Sequence, residues 1–193
     1  MYPEKLICAN ECALIISHLK RLGPDDRHLR FGYQIQDEQI EDYVTSSFNT
    51  ENNQWFGIFD KNKIIATIHV ALLPDRQAEM GLTVDKACRY AGIGQSLFNR
   101  GLVWARAHGA NQIYMQCLSE NKIIQHIAKK NGMSVATLCL NEKEARIEFP
   151  VNDIMAPFND LALDRITAID KMYQTQRTFY QNMFTIMTKG KLK

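Results

Sequence analysis

From Ala78 to Ala107 the chain passes from the β-forming run AEMGLTV, through the glycine-bearing stretch RYAGIGQ, into a segment of helical rhythm. Ile93, Leu97, Leu102, Val103 and Ala105 carry that rhythm until His108-Gly109 ends it. A strand feeding a helix through a glycine turn sets the backbone amides from Gly92 to Gln95 at an open helix N-terminus. Unpaired donors and the helix dipole make such a place attractive to phosphate oxygens. The missing side chains at Gly92 and Gly94 would let a diphosphate come close, and Arg89 would add a charge-assisted contact. A glycine pair alone is also a common packing device, so the surrounding elements have to decide its meaning.

Around this unit the pattern continues on both sides. Residues 10–22 and 37–48 read as helices, with Gly23-Pro24 stopping the first; KLIC before it fits either a short strand or an earlier helical turn. QWFGIF and KIIATIHVALL, joined by the turn-rich DKNK, read as an antiparallel hairpin that leads into AEMGLTV. Strand QIYMQCL, helix ENKIIQHIAKK and strands SVATLCL and EARIEF follow the glycine turn and its helix, the last two joined near Asn141. Hairpins combined with a βαβ crossover predict an α/β fold of the mixed, α+β kind: a mostly antiparallel sheet with helices on both faces. Residues 1–150 would form this domain. Residues 151–193 would be a linker and a long amphipathic C-terminal helix marked by Leu163, Ile166, Ile169, Tyr173, Tyr180, Phe184 and Met187. That apolar stripe must pack on its own domain or on a second subunit, which makes a homodimer one of its two outcomes.

Composition removes several function classes. The 193 residues carry a formal net charge of only +2 with scattered basic residues, which gives little support to nucleic-acid binding. No apolar run is long enough for a membrane span, and MYPEKLICANECALIISHLK is too charged for a secretory signal, so a soluble cytoplasmic protein is expected. The 5 cysteines are not arranged as a disulfide framework, and Cys8, Cys12 and His18 lack the fourth partner of a zinc site, so no metal is expected. The acidic residues Asp37, Glu38, Glu41 and Asp42 are better explained as a solvated helix face than as an amine-attracting patch. Arg27 and Arg30 fit structural roles at helix ends or beside Asp25 and Asp26.

Two familiar phosphate turns fit poorly. Gly94 is followed by Gln95-Ser96, without the lysine of a nucleoside-triphosphate loop, and Leu97 stands where a dinucleotide fold needs its third glycine, which sets aside an oxidoreductase. The block from Ala78 to Met133 instead resembles the acetyl-CoA-binding core of the GNAT N-acetyltransferase superfamily. Arg89, Gly92 and Gly94 match its Arg/Gln-x-x-Gly-x-Gly/Ala signature, while Asn121, Gly132 and Met133 match the downstream block. RLGPDDRHLRF further resembles a segment of the GNAT domain in bacterial protein lysine acetyltransferases, with Gly23 and His28 departing from that pattern.

The resemblance implies that acetyl-CoA is the cosubstrate. Its pantetheine arm would run along Leu82, Thr83 and Val84, its pyrophosphate would lie on Arg89, Tyr90, Ala91, Gly92, Ile93, Gly94, Gln95 and Ser96, and Asn121 would complete the site. A primary amine, either a protein lysine or a small molecule, would then attack the thioester directly. Backbone N–H groups at a strand edge near Leu82 to Val84 suit the charge that develops on the carbonyl oxygen. An amine of pKa about 10.4 is almost wholly protonated at pH 7, so a base is needed. Glu79 stands where many relatives carry a catalytic glutamate; its bland alternative is an ion-paired strand carboxylate. Ala128 replaces the tyrosine that commonly protonates the leaving thiolate. Ser119, Cys117 and His126 are substitutes, each with an ordinary structural alternative as helix cap, core residue or solvated side chain. A non-catalytic acyl-CoA-binding or regulatory module is the competing function.

Overall fold

The computed structural model describes residues 3–89, 92–139 and 142–149. The expectations placed on Tyr90, Ala91, Asn141 and the C-terminal segment 151–193 lie outside the described residues. Strand β1 (Glu4–Ile7) resolves the KLIC ambiguity, and a 3-10 turn over Ala9–Glu11 leads into α1 (Cys12–Lys20). Gly23-Pro24 does stop that helix, but it also starts another. In α2 (Pro24–Phe31) proline stands in the first turn, Asp25 and Asp26 face the positive end of the dipole, and Gly32 closes the helix at φ +80°. Helix α3 (Asp37–Ser47) follows, then β2 (Asn53–Asp60), β3 (Lys63–Leu73) and β4 (Gln77–Val84). After a 3-10 turn over Lys86–Cys88 come α4 (Ile93–Ala107), β5 (Gln112–Leu118), α5 (Lys122–Lys130), β6 (Ser134–Cys139) and β7 (Glu142–Glu148).

The strands form one seven-stranded sheet of order β1-β2-β3-β4-β5-β7-β6. Every neighbouring pair is antiparallel except β4 and β5, which run parallel because α4 carries the chain across between them. The mixed, mostly antiparallel sheet is therefore as the order of patterns predicts.

Alternation along the strands sends side chains into two apolar clusters. Phe56, Ile58, Ile68, Val70 and Met80 pack with Leu97, Phe98 and Trp104 of α4. Trp55, Ile64 and Ile7 pack with Ile15 and Leu19 of α1 and with Ile40 and Val44 of α3. Buried Gly101 lets α4 lie close to the sheet: a Cβ there would meet Ile68 Cδ1 at 2.9 Å, Val70 Cγ2 at 3.0 Å and Met80 Sδ at 3.1 Å.

One irregularity positions everything that follows. Strand β4 pairs with β3 along eight residues, Gln77 to Val84, but with β5 only at Gln77, Ala78 and Glu79. Beyond Glu79 the two strands part, and the gap between residues 80–84 and 115–118 opens inside the sheet.

Candidate cofactor and acceptor site

Two cavities meet in that gap. The larger, about 540 Å³, runs from Leu82, Thr83 and Val84 past Arg89, Gly92, Gly94 and Gln95 to the first turns of α5. The smaller, about 200 Å³, lies between Glu79 to Leu82 on β4 and Met115 to Leu118 on β5. Leu29, Arg30, Leu82, Asn121 and Ile124 line both, so the two spaces adjoin.

At the end of the larger cavity, Gly92 precedes α4 in the left-handed region at φ +77°, a conformation that glycine adopts without strain. A Cβ on Gly92 would meet nothing within 4 Å, whereas one on Gly94 would meet Ile127 Cδ1 at 3.0 Å. Gly92 thus supplies backbone geometry and Gly94 supplies room. The amide of Ser96 donates to the Gly92 carbonyl at 3.0 Å, so it is not one of the donors a helix N-terminus leaves open. Four residues past the cap, the Ser96 N–H already has a helical acceptor, which leaves its side chain as the group it could offer a ligand. Ile93 points its side chain into the α4-side core and is 7% exposed, so only its backbone faces the turn.

Gln95 donates to Asn99 Oδ1 and Asn131 Oδ1, while its buried Oε1 has no hydrogen-bond partner among the described residues. An unsatisfied polar atom, an open glycine turn and a long groove leading to a split strand edge fit a nucleotide-bearing pantetheine thioester. Arg89 is already engaged. Its Nη2 donates to Asp26 Oδ1 of α2 at 2.6 Å and its Nε to the Val84 carbonyl at 3.3 Å. Asn121 caps α5 by accepting from the Ile124 amide at 3.2 Å and donates to the Leu29 carbonyl at 3.4 Å, which ties α2 to α5 across the groove.

Glu79 lines the smaller cavity at the last paired position of β4, opposite Tyr114. Burial pushes the Tyr114 hydroxyl above its ordinary pKa, with Glu79 and Glu144 adding to the effect, so the phenol keeps its proton. Cys117 lines the same cavity; burial raises its thiol pKa against the opposing pull of Lys143, which disfavours a nucleophilic thiolate. Ser119 is not among the residues lining either cavity, and its carbonyl accepts from Lys122 Nζ and Gln125 Nε2. His126 is exposed and borders the larger cavity. Ala128 is 1% exposed in the α4-side core, so the position of the absent tyrosine faces packed apolar atoms.

Two polar networks that the sequence did not announce lie on the α1–α3 face of β4, the face that also carries Glu79 and Gly81. His18 is fully buried: Nδ1 lies 3.2 Å from both the Ile64 carbonyl and Asp85 Oδ1, and Nε2 is 2.9 Å from Thr83 Oγ1, which in turn bonds Thr67. Burial pushes the Asp85 carboxyl up, but the His18 hydrogen bond and the charges of His18, Arg21 and Lys63 outweigh it and leave the carboxyl below its usual range. This network fixes the end of β4 just before the glycine turn. In the second, Arg30 Nη2 donates to Tyr43 Oη at 2.9 Å, Tyr43 Oη lies 2.8 Å from His69 Nδ1, and His69 Nε2 lies 2.9 Å from Asn53 Oδ1. Burial, helped by the Arg30 charge, lowers His69 to about 3, so its ring is neutral at pH 7. Arg27, by contrast, ties loops together through Lys20, Leu22 and Ile35 carbonyls and pairs with Asp37 rather than with Asp25 or Asp26.

The profile of the acetyltransferase (GNAT) family matches residues 23–133, more than half of the chain. The chain belongs to the GNAT acetyltransferase family. Its fold matches the GNAT domain of PAT from S. lividans with a TM-score of 0.66 at 13% identity, over 76% of this chain and 89% of that one. A GNAT-family acetyltransferase from Streptococcus pneumoniae matches with a TM-score of 0.62 at 12% identity, over 77% and 100%. RimL, a ribosomal L7/L12 α-N-protein acetyltransferase in complex with coenzyme A, matches with a TM-score of 0.58 at 13% identity, over 77% and 94%. At these identities the likeness is one of fold. No curated protein matches in sequence. Among the described residues no group of three or more His, Cys, Asp or Glu side chains is placed to hold a metal, and no helix is long and apolar enough to cross a membrane.

Proposed function

We propose that this GNAT domain is an acetyl-CoA-dependent N-acetyltransferase that delivers an acetyl group to a primary amine. The observation that carries the reading is the parting of β4 from β5 immediately after Glu79, with two adjoining cavities, one beside that carboxylate and the other reaching the glycine turn before α4. In this reading the amides of Gly92 to Gln95 hold the diphosphate, and the pantetheine arm takes the strand partners that β5 leaves free beside Leu82 to Val84. Acetyl-CoA, when bound, supplies a thioester whose carbonyl carbon accepts the amine. Glu79, directly or through one water, takes the proton from the ammonium, and the backbone of β4 stabilises charge on the carbonyl oxygen.

The leaving thiolate of an ordinary thiol, with pKa near 8.5, departs without a strong acid. That agrees with a buried alanine at position 128. Cys117, kept protonated by burial, lies nearer the reacting end than Ser119, which faces neither cavity. We therefore give Ser119 no more than a supporting place in the loop before α5.

The test is thiol release from acetyl-CoA with a panel of amines. Glu79→Gln should lower kcat/KM by about 10²–10⁴ near neutral pH, with coenzyme A affinity unchanged. Tight coenzyme A binding without thiol release from any amine would favour the non-catalytic module, and full activity of Glu79→Gln would remove the base assignment.

A further inference from the structure

Arg30 is set into the wall of the site in an unusual way. Its guanidinium occupies the space that a side chain on Gly81 would fill, so on the α1–α3 face of β4 a cation from α2 stands in for residue 81. It lines both cavities at their junction. Among the described residues no carboxylate lies within ion-pair distance of it, in contrast to Arg27 with Asp37 and Arg89 with Asp26.

Its hydrogen-bonded support is a chain of uncharged groups. Arg30 donates to Tyr43, the Tyr43 hydroxyl donates to His69 Nδ1, and His69 Nε2–H donates to Asn53 Oδ1. Polarity is consistent at every link once His69 is neutral. Phe31 and Tyr43 flank the guanidinium with ring centroids 4.8 and 5.8 Å from Cζ. A cation held by neutral partners, with most of its five N–H donors uncommitted, is pre-organised for an anion that arrives with a ligand.

We propose that Arg30 recognises a carboxylate on the acceptor, and that the acceptor is an α-amino acid or a similarly short amino carboxylate. The inference rests on the acetyltransferase reading for one point, the placing of the amine beside Glu79. Glu79 and Gly81 are two residues apart on one strand face, about 6.6 Å. That spacing matches an amine at Glu79 whose own carboxylate, two bonds away, meets the guanidinium. The phosphates of the cosubstrate lie at the far end of the groove in this reading, so they do not compete for Arg30. The smaller cavity, about 200 Å³, is below the roughly 300–1,000 Å³ of sites for drug-sized ligands and suits a small acceptor. A lysine ε-amine in a protein has no carboxylate at this distance and would leave Arg30 facing a methylene chain.

The full chain is assayed for thiol release with acetyl-CoA and three acceptor sets: amino acids, their α-carboxamides and decarboxylated amines, and lysine peptides with blocked ends. Thermal shift of the coenzyme A-loaded protein is recorded with the same compounds. Carboxylate-bearing acceptors should exceed their amides by about 10² or more in kcat/KM. Arg30→Gln should abolish that ratio by raising KM for the carboxylates about 100-fold while changing the amides less than about 3-fold, and Arg30→Lys should restore part of it. Tyr43→Phe, which leaves the guanidinium in place but unbuttressed, should reduce the ratio about tenfold if Arg30→Gln does not fold.

Equal rates for acids and amides, preference for the blocked lysine peptide, or a uniform loss of kcat for all acceptors in Arg30→Gln would each overturn the proposal while leaving the acetyltransferase reading intact. Absence of thiol release together with an Arg30-dependent thermal shift by amino carboxylates would sustain the carboxylate site and overturn the transferase reading. Absence of both signals overturns the proposal as well.

Discussion

On the α4 side of the sheet, Phe56, Ile68, Val70 and Met80 meet Leu97 and Phe98 in an unbroken apolar layer. On the α1–α3 side the same strands present Thr67, His69 and Thr83 between Trp55 and Ile64, and α1 and α3 answer with His18 and Tyr43. The first face holds shape through area and close packing. The second spends buried polar groups, each needing a correctly oriented partner, to hold α2 and the end of β4 where the site requires them. The contrast teaches that the dry face supplies stability and the polar face supplies position.

The comparison can be broken first on the dry face. Phe98→Ala, at 0% exposure, should destabilise the fold by about 3–5 kcal/mol in urea unfolding, while whatever fraction stays folded keeps its acceptor preference. Acid attacks the other face. His69 titrates at about 3 in the folded chain and near 6.5 when unfolded, so between these values only the unfolded chain takes up the proton. Stability from His69 is therefore fully present above pH 6.5 and is lost as pH falls, at a limiting slope of about 1.4 kcal/mol per pH unit. Asp85, whose carboxyl is depressed, works in the same direction but only below its unfolded value of about 3.9, beneath the range of this series. Urea midpoints at pH 7, 6 and 5 check this, and His69→Phe should flatten the series.

The smallest effect concerns the pair that joins α2 to the glycine turn. Because Asp26 engages Arg89 and lines the groove, Asp26→Asn should tighten coenzyme A binding about 3–10-fold by calorimetry, roughly 1 kcal/mol, with little change in stability. Weaker binding would show instead that Asp26 serves to aim Arg89.

The regular parts of this molecule were legible because their signals are local. The hairpin of β2 and β3, the glycine turn and helices α4 and α5 each announce themselves within a few residues, and the order of elements gives the mixed sheet. Strand β1 is only four residues long, too short for alternation to separate it from a helical turn. Helix α2 lacks a buried stripe, since none of its residues is fully buried, and a reading by apolar period passes over it. Its signals are the proline at the start, the paired aspartates and Gly32, and Gly23-Pro24 marks a beginning as well as an end. The placement of Gly92 and Gly94 at a helix entrance and of Glu79 on a strand was legible from local pattern, whereas the roles expected of them came from the family resemblance. Arg30 was not legible, because no spacing rule brings residue 30 against residue 81. Nor was the commitment of Arg89 to Asp26, which needs two elements 63 positions apart in sequence.

The sheet is joined by eight residue pairs between β3 and β4 and seven between β5 and β7, but by three between β4 and β5. Mechanically it is two stiff plates sharing a short seam at residues 77–79. Three pairs are fewer than any other neighbouring strands of the sheet share, so the cleft is where the fewest backbone hydrogen bonds hold its two halves together. A ligand pairing with residues 80–84 would act there as a spacer, filling the missing rungs and joining two plates into one.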